Sequence, residues 1–172
     1  MKKAVLLSVL LALPLLNACA FPLPKQKSDA PACLAEWDLR NSGEPLGSGA
    51  LLLEELQKAT SSANPQGTPF VEIAHKAGWS DGWDRMVDVY EDIKESDLNM
   101  TAQTEGYCWR NVPTDAGSNF APTGFYLFVK DQKPVQAIEW RVQHNPVNLR
   151  PGQAATPQSV MIVKGSFLVP QP

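Results

Sequence analysis

From Cys33 onward, apolar residues recur with two different periods, and each change of period marks an element. Ala35, Trp37 and Leu39 alternate with Glu36, Asp38 and Arg40, which predicts a half-buried strand. Asn41 to Gly49 carries three glycines and a proline and reads as a loop. Ala50 to Thr60 switches to helical spacing, with Leu52, Leu53, Leu56 and Ala59 on one face. Ser61 to Gly67 ends that helix. Thr68-Pro69 has the form of an N-cap followed by first-turn proline, and Phe70, Ile73, Ala74 and Ala77 share a helical face closed by Gly78; a short strand through Phe70 to Ile73 is the alternative. Trp79 to Trp83 is a turn. Arg85 to Glu91 is a strand, and Ser96 to Ala102 a short helix capped by Ser96 or Asp97. Tyr107 to Val112 is a strand carrying Cys108. The clearest hairpin runs from Gly124 to Gln143 about Asp131-Gln132-Lys133, with Ile138, Trp140 and Val142 alternating against Ala137, Glu139 and Arg141. His144 to Gln158 is a loop, and Ser159 to Val169 a last strand bent at Gly165. Helices near the front and strands thereafter predict a single α+β domain over 33–172, with a mainly antiparallel sheet and one or two helices in its N-terminal part.

The residues before Cys33 belong to a different pattern. Lys2 and Lys3 precede an apolar run, Ala4 to Leu16, that is too short for a helix of about 20 residues to span a bilayer. Basic start, short apolar core and small residues at a cut site are the marks of a signal peptide. Leu16-Asn17-Ala18-Cys19 resembles the lipobox of bacterial lipoprotein precursors, although Asn17 is a less usual middle residue. The resemblance implies a signal peptide over 1–18, acylation of Cys19 and anchoring by two or three chains, which hold stably where one does not. With Ala20 next to Cys19, it further implies the outer membrane, facing the periplasm. Residues 19–32 then form an acylated, proline-containing tether.

Removing Lys2 and Lys3 from the 15 basic side chains leaves 13 against 18 acidic ones, a formal charge of −5. No run of Lys or Arg occurs, which argues against nucleic-acid binding and against attraction to anionic lipid. Cys33 and Cys108 are two thiols in a chain that reads as exported, and a disulfide between them is expected.

Catalytic patterns are sparse. His75 and His144 are the two histidines, without the spacing of a zinc site or a Cys/His cluster, and no metal or other cofactor is expected. Cys108, His144 and Asn145 are the residue types of a thiol protease, but Cys108 sits in Gly-Tyr-Cys-Trp, and the His must reach the thiol in space. Asp81 and Asp84 flank Gly82-Trp83, and a glycan hydrolase needs two such carboxylates facing each other across a cleft. Asp before Gly is turn chemistry first. Trp109 and Arg110 are of the types favoured at interface hot spots, and with Asp115, Ser118, Asn119 and Phe120 of the adjoining loop they form the candidate partner-binding set, although Trp109, which follows a cysteine expected in the disulfide, reads equally as core. A small acidic exported lipoprotein with a disulfide and no catalytic motif resembles, in general character, the periplasmic immunity proteins kept against toxins of type VI secretion systems. That resemblance implies a non-enzymatic inhibitor whose loop, 115–120 or 145–157, plugs a basic secreted toxin. The alternatives are an accessory lipoprotein of an envelope complex and, further off, a small cell-wall hydrolase.

Overall fold

A computed structural model describes residues 33–62, 64–115 and 121–172; the segments expected to be signal peptide (1–18) and tether (19–32), with Cys19, and Ser118, Asn119 and Phe120 lie outside the described residues. In chain order the elements are β1 (Ala35–Asp38), α1 (Gly49–Thr60), β2 (Thr68–Pro69), α2 (Phe70–Lys76), β3 (Arg85–Val89), α3 (Glu95–Ala102), β4 (Tyr107–Arg110), β5 (Thr123–Lys130), β6 (Lys133–Arg141), β7 (Ala154–Ala155), β8 (Val160–Lys164) and β9 (Phe167–Pro170), with a 3-10 turn over Val142–His144. The α+β class with mostly antiparallel pairing is as the sequence pattern predicts.

A four-stranded antiparallel sheet, β6-β5-β3-β7, is covered on both faces. Its alternation sorts the side chains. Met86, Tyr126, Phe128, Ile138 and Trp140 point to one face, and Val87, Val89, Phe125, Leu127 and Val129 to the other. β5 is buried along almost its whole length because neighbours cover both of its faces, so its sequence is apolar without alternation. The first face is covered by Leu52 and Leu56 of α1, Phe70, Ile73 and Ala74 of α2, and the β8–β9 hairpin. The second is covered by Leu98 and Ala102 of α3 and by a two-stranded ribbon of β1 and β4, which contributes Trp109 and, partly buried, Trp37 and Tyr107.

Asp131 and Gln132 form the β5–β6 turn, with φ of 47° and 62° and Lys130 opposite Lys133. Both central residues are left-handed, which matches the strand twist. Gly78 ends α2 at φ 76°, in the place the pattern assigns to it.

Four local readings are corrected. Thr68-Pro69 is a short strand paired with Val160 and Met161, so Pro69 rather than Thr68 precedes the first helical residue. Lys94, not Ser96 or Asp97, stands at the N-cap of α3, and no side chain bonds there. The segment Ser159 to Val169 is a hairpin rather than one bent strand: Gly165, at φ 65°, lets Lys164 and Phe167 face each other. Within the loop 144–158, Ala154 and Ala155 pair with β3 as a fourth strand. The ribbon is parallel, Ala35 opposite Tyr107 through Asp38 opposite Arg110. Cys33 and Cys108 are joined by a disulfide at its entrance, with Cα atoms 5.5 Å apart.

Candidate functional site

Three surface regions carry chemistry, and the first grows out of the ribbon. β4 delivers the chain into the loop that begins at Asn111, a left-handed residue at φ 59°. Asn111 Nδ2 donates to Asp38 Oδ1 at 2.6 Å, and the backbone N–H of Arg40 donates to the same oxygen at 3.0 Å. These bonds, with Arg110 and Arg40 nearby, lower the pKa of Asp38 from its ordinary value, although burial opposes them. Farther along, Asp92 N–H donates to the Pro113 carbonyl at 3.0 Å, and Asp115 N–H to Asp92 Oδ1 at 3.3 Å. On the far side Thr123 N–H donates to Glu91 Oε1 at 3.1 Å. Carboxylates therefore hold both ends of the 111–123 segment by their acceptor oxygens.

Of the predicted partner-binding residues, the structure exposes one and buries another. Arg110 has a side chain 67 % exposed and lies 3.6 Å from Glu36. Trp109 packs in the core, 6 % exposed, where Nε1 donates to Asn99 Oδ1 at 2.8 Å and the ring stacks on Tyr107. Its hydrogen bond and apolar contacts are already made within the fold, which corrects its reading as an anchor for a partner. Asp115 takes part in the loop's own bonding. Ser118, Asn119 and Phe120 fall outside the described residues.

The second region is a hollow of about 580 Å³ between α2 and the segment Thr156 to Gln158. It gathers His75, Asp81, Asp84 and Lys130 over Trp83. His75 Nε2 is 2.6 Å from Asp81 Oδ1, and both side chains are well exposed. Asp84 Oδ2 instead accepts the N–H of Asp131 at 2.8 Å and so ties the β5–β6 turn to β3. Trp83 is buried, and its Nε1 has no partner among the described residues. The hollow does bring Asp81 and Asp84 to one place, with one carboxylate on a histidine and the other on backbone. The thiol-protease arrangement does not form. Cys108 is in a disulfide, and Asn145 accepts from the Tyr126 hydroxyl.

The third region is a trough of about 640 Å³ along α1, lined by Ala50, Leu53 and Gln57 on the helix side and by Glu139, Trp140, Arg141 and His144 on the β6 side. No local pattern signals it, because its walls lie some 80 residues apart. Trp140 lies over Gly124, its cross-strand neighbour, where a Cβ would stand 2.2 Å from the indole. Nε1 thereby reaches Asp88 Oδ1 at 2.9 Å. Burial pushes the Asp88 carboxyl up to about 6, against the lowering effect of the indole N–H. Burial likewise raises the phenol of Tyr126, whose oxygen accepts the N–H of Val147 at 2.9 Å.

Among the described residues no group of three or more His, Cys, Asp or Glu side chains could hold a metal ion, and no helix is long and apolar enough to cross a membrane. Compared with known proteins, the chain matches no family model, no curated protein and no solved structure.

Proposed function

We propose that the protein is an outer-membrane-anchored periplasmic lipoprotein that binds and inhibits a second protein, as an immunity-type inhibitor does with a secreted toxin. One observation carries the reading: carboxylates bond both ends of the 111–123 segment, and further acidic residues precede it in the chain. Between Glu91 and Asp115 the chain has six acidic side chains and two basic ones, Lys94 and Arg110, a formal charge of −4. Asp38, Asp92 and Glu95 gather there through their bonds to Asn111, Asp115 and Trp109. An acidic face beside the anchored ends of that segment suits a basic partner. It speeds encounter by steering, and the fixed ends lower the ordering cost of binding. The lipid anchor enters from the resemblance of Leu16-Asn17-Ala18-Cys19 to a lipobox.

The test uses the full lipoprotein, extracted in mild detergent, as bait for the envelope and secreted fractions of its own host. The expected partner is a secreted hydrolase with a basic surface that loses activity when bound. Asp92→Lys and Asp115→Lys should slow its association, and added salt should do the same to the unaltered protein. Capture of fixed wall or outer-membrane components would replace this reading with that of an accessory lipoprotein. A cell-wall hydrolase is supported by the hollow that holds His75, Asp81 and Asp84. Release of soluble fragments from purified wall, abolished by Asp81→Asn, would favour it.

A further inference from the structure

We infer that the Glu139–Arg141 edge of β6 pairs with the same edge of a second copy of this chain. β6 is the outer strand of the central sheet. Its hydrogen-bonding direction is fixed at two points. Val142 N–H donates inward to the Pro122 carbonyl at 2.9 Å. Ala137 faces outward, where Ser42 Oγ accepts its N–H at 2.9 Å and donates to its carbonyl at 3.2 Å. Backbone direction alternates along a strand, so Glu139 and Arg141 face outward as Ala137 does. Ser42 closes the edge at Ala137, and the 3-10 turn closes it after Arg141. The open stretch is three residues long, and Glu139 and Arg141 form no ion pair among the described residues.

That stretch is complementary to itself. In an antiparallel pairing centred on Trp140, each Glu139 stands opposite the Arg141 of the other copy. The Arg141 N–H of each then meets the Glu139 carbonyl of its mate, and the two side-chain pairs carry opposite charge on the same face. Directly opposed charges of opposite sign stabilise a strand pair, and like charges destabilise it. A shift of two residues would set Glu139 against Glu139 and would need Ala137, which Ser42 occupies. Charge and plugging therefore select one register. The axis is two-fold, so the contact closes at a dimer. Both α1 helices then lie on the same side of the joined sheet, and Ala50 and Leu53 of each face the trough of the other. The contact is short and its affinity accordingly modest. Two copies held on one membrane by their anchors would meet at high effective concentration.

The test is co-purification of two differently tagged full-length copies expressed together and extracted in mild detergent. The unaltered copies should co-purify. Glu139→Arg in both copies opposes arginine to arginine, and Arg141→Glu in both opposes glutamate to glutamate. Each should lower recovery at least tenfold. One copy with Glu139→Arg and the other with Arg141→Glu should restore it, since every facing pair is again of opposite sign. The double variant E139R/R141E in both copies should restore it as well. Circular dichroism of each variant checks its folding, and the mixed and doubly exchanged pairs contain the same substitutions as the disrupted ones. No co-purification of the unaltered copies would overturn the pairing, as would single reversals without effect or mixtures no better than their components. Occupation of the edge by an extended segment of another protein, in place of the second copy, would also overturn it.

Discussion

The two faces of the central sheet are stabilised by different means. On one, α1, α2 and the β8–β9 hairpin bring a large aromatic and aliphatic cover, with Phe70, Trp79, Trp83 and Phe128 in edge or tilted contact. That face also holds the half-buried Asp88 and buried Tyr126 and Gln136, each with hydrogen-bond partners in the fold. On the other face the cover is one eight-residue helix and a two-stranded ribbon, and the layer is almost wholly apolar. A ribbon of two four-residue strands is marginal by itself. The disulfide sits where that face is weakest. A thick layer tolerates polar insertions, whereas a thin one needs a covalent tie.

The largest expected effect breaks that tie. Replacing Cys33 and Cys108 with serine opens a loop spanning a sequence separation of 75. The chain-entropy model puts the loss at about 4–5 kcal/mol, to be read from urea unfolding. Amide exchange should rise first in β1 and β4 while α1 and α2 keep their protection; equal loss on both faces would contradict a difference between them.

Next comes the thick face. Gly124→Ala drives a methyl into the Trp140 indole and should cost roughly 1–3 kcal/mol by overpacking. Combined with Trp140→Leu, its cost should fall well below additivity, because the group it strikes is gone.

Asp88 adds a pH signature to the same face. Its carboxyl is raised to about 6 in the folded protein from an ordinary 3.8. The folded state therefore binds the proton more tightly, and Asp88 contributes stability that is full below about pH 4 and lost as pH rises through about 6. Asp88→Asn should flatten that part of the stability profile and stabilise the protein at pH 8 by about 1–2 kcal/mol, since the amide oxygen can still accept from Trp140. Thermal unfolding from pH 4 to 8, with the variant alongside, checks the slope. The smallest effect belongs to Arg110→Ala on the exposed ribbon. It should change stability by under about 0.5 kcal/mol, so any larger effect on partner capture can be assigned to binding.

What the sequence disclosed divides along a different line, between local and long-range order. Helices α1 and α2, the β5–β6 hairpin and the covalent tie follow from local spacing, turn residues and cysteine count. Long-range pairing did not show itself. Thr68-Pro69 has the composition of a helix cap, and its strand character comes from Val160 and Met161, some 90 residues away. Nothing in Ala35 to Asp38 signals a parallel partner at Tyr107 to Arg110. The turn in Ser159 to Val169 was readable at Gly165, but both arms are apolar and looked continuous. For the candidate surfaces, Arg110 and Asp115 are legible as surface charge, whereas the roles of Asp38, Glu91 and Asp92 come from long-range contacts. For Trp109 the sequence leaves core and interface open, because an indole beside Arg has the same composition in both, and the fold places it in the core against Asn99. The trough depends on how α1 lies beside β6, and no local pattern encodes that.

The covalent tie also imposes an order in time. A chain is synthesised from its N-terminal end. Cys33 and β1 therefore emerge well before their partners, which follow only after α1, α2, β3 and α3 have been made. Until Cys108 appears, the first strand has neither a mate for its backbone nor one for its sulfur. Residues 49–89, covering α1 through β3, also wait for later chain, since β3 pairs with β5 and β7. The second face can be closed only late, and any catalyst of thiol oxidation finds its substrate at that stage.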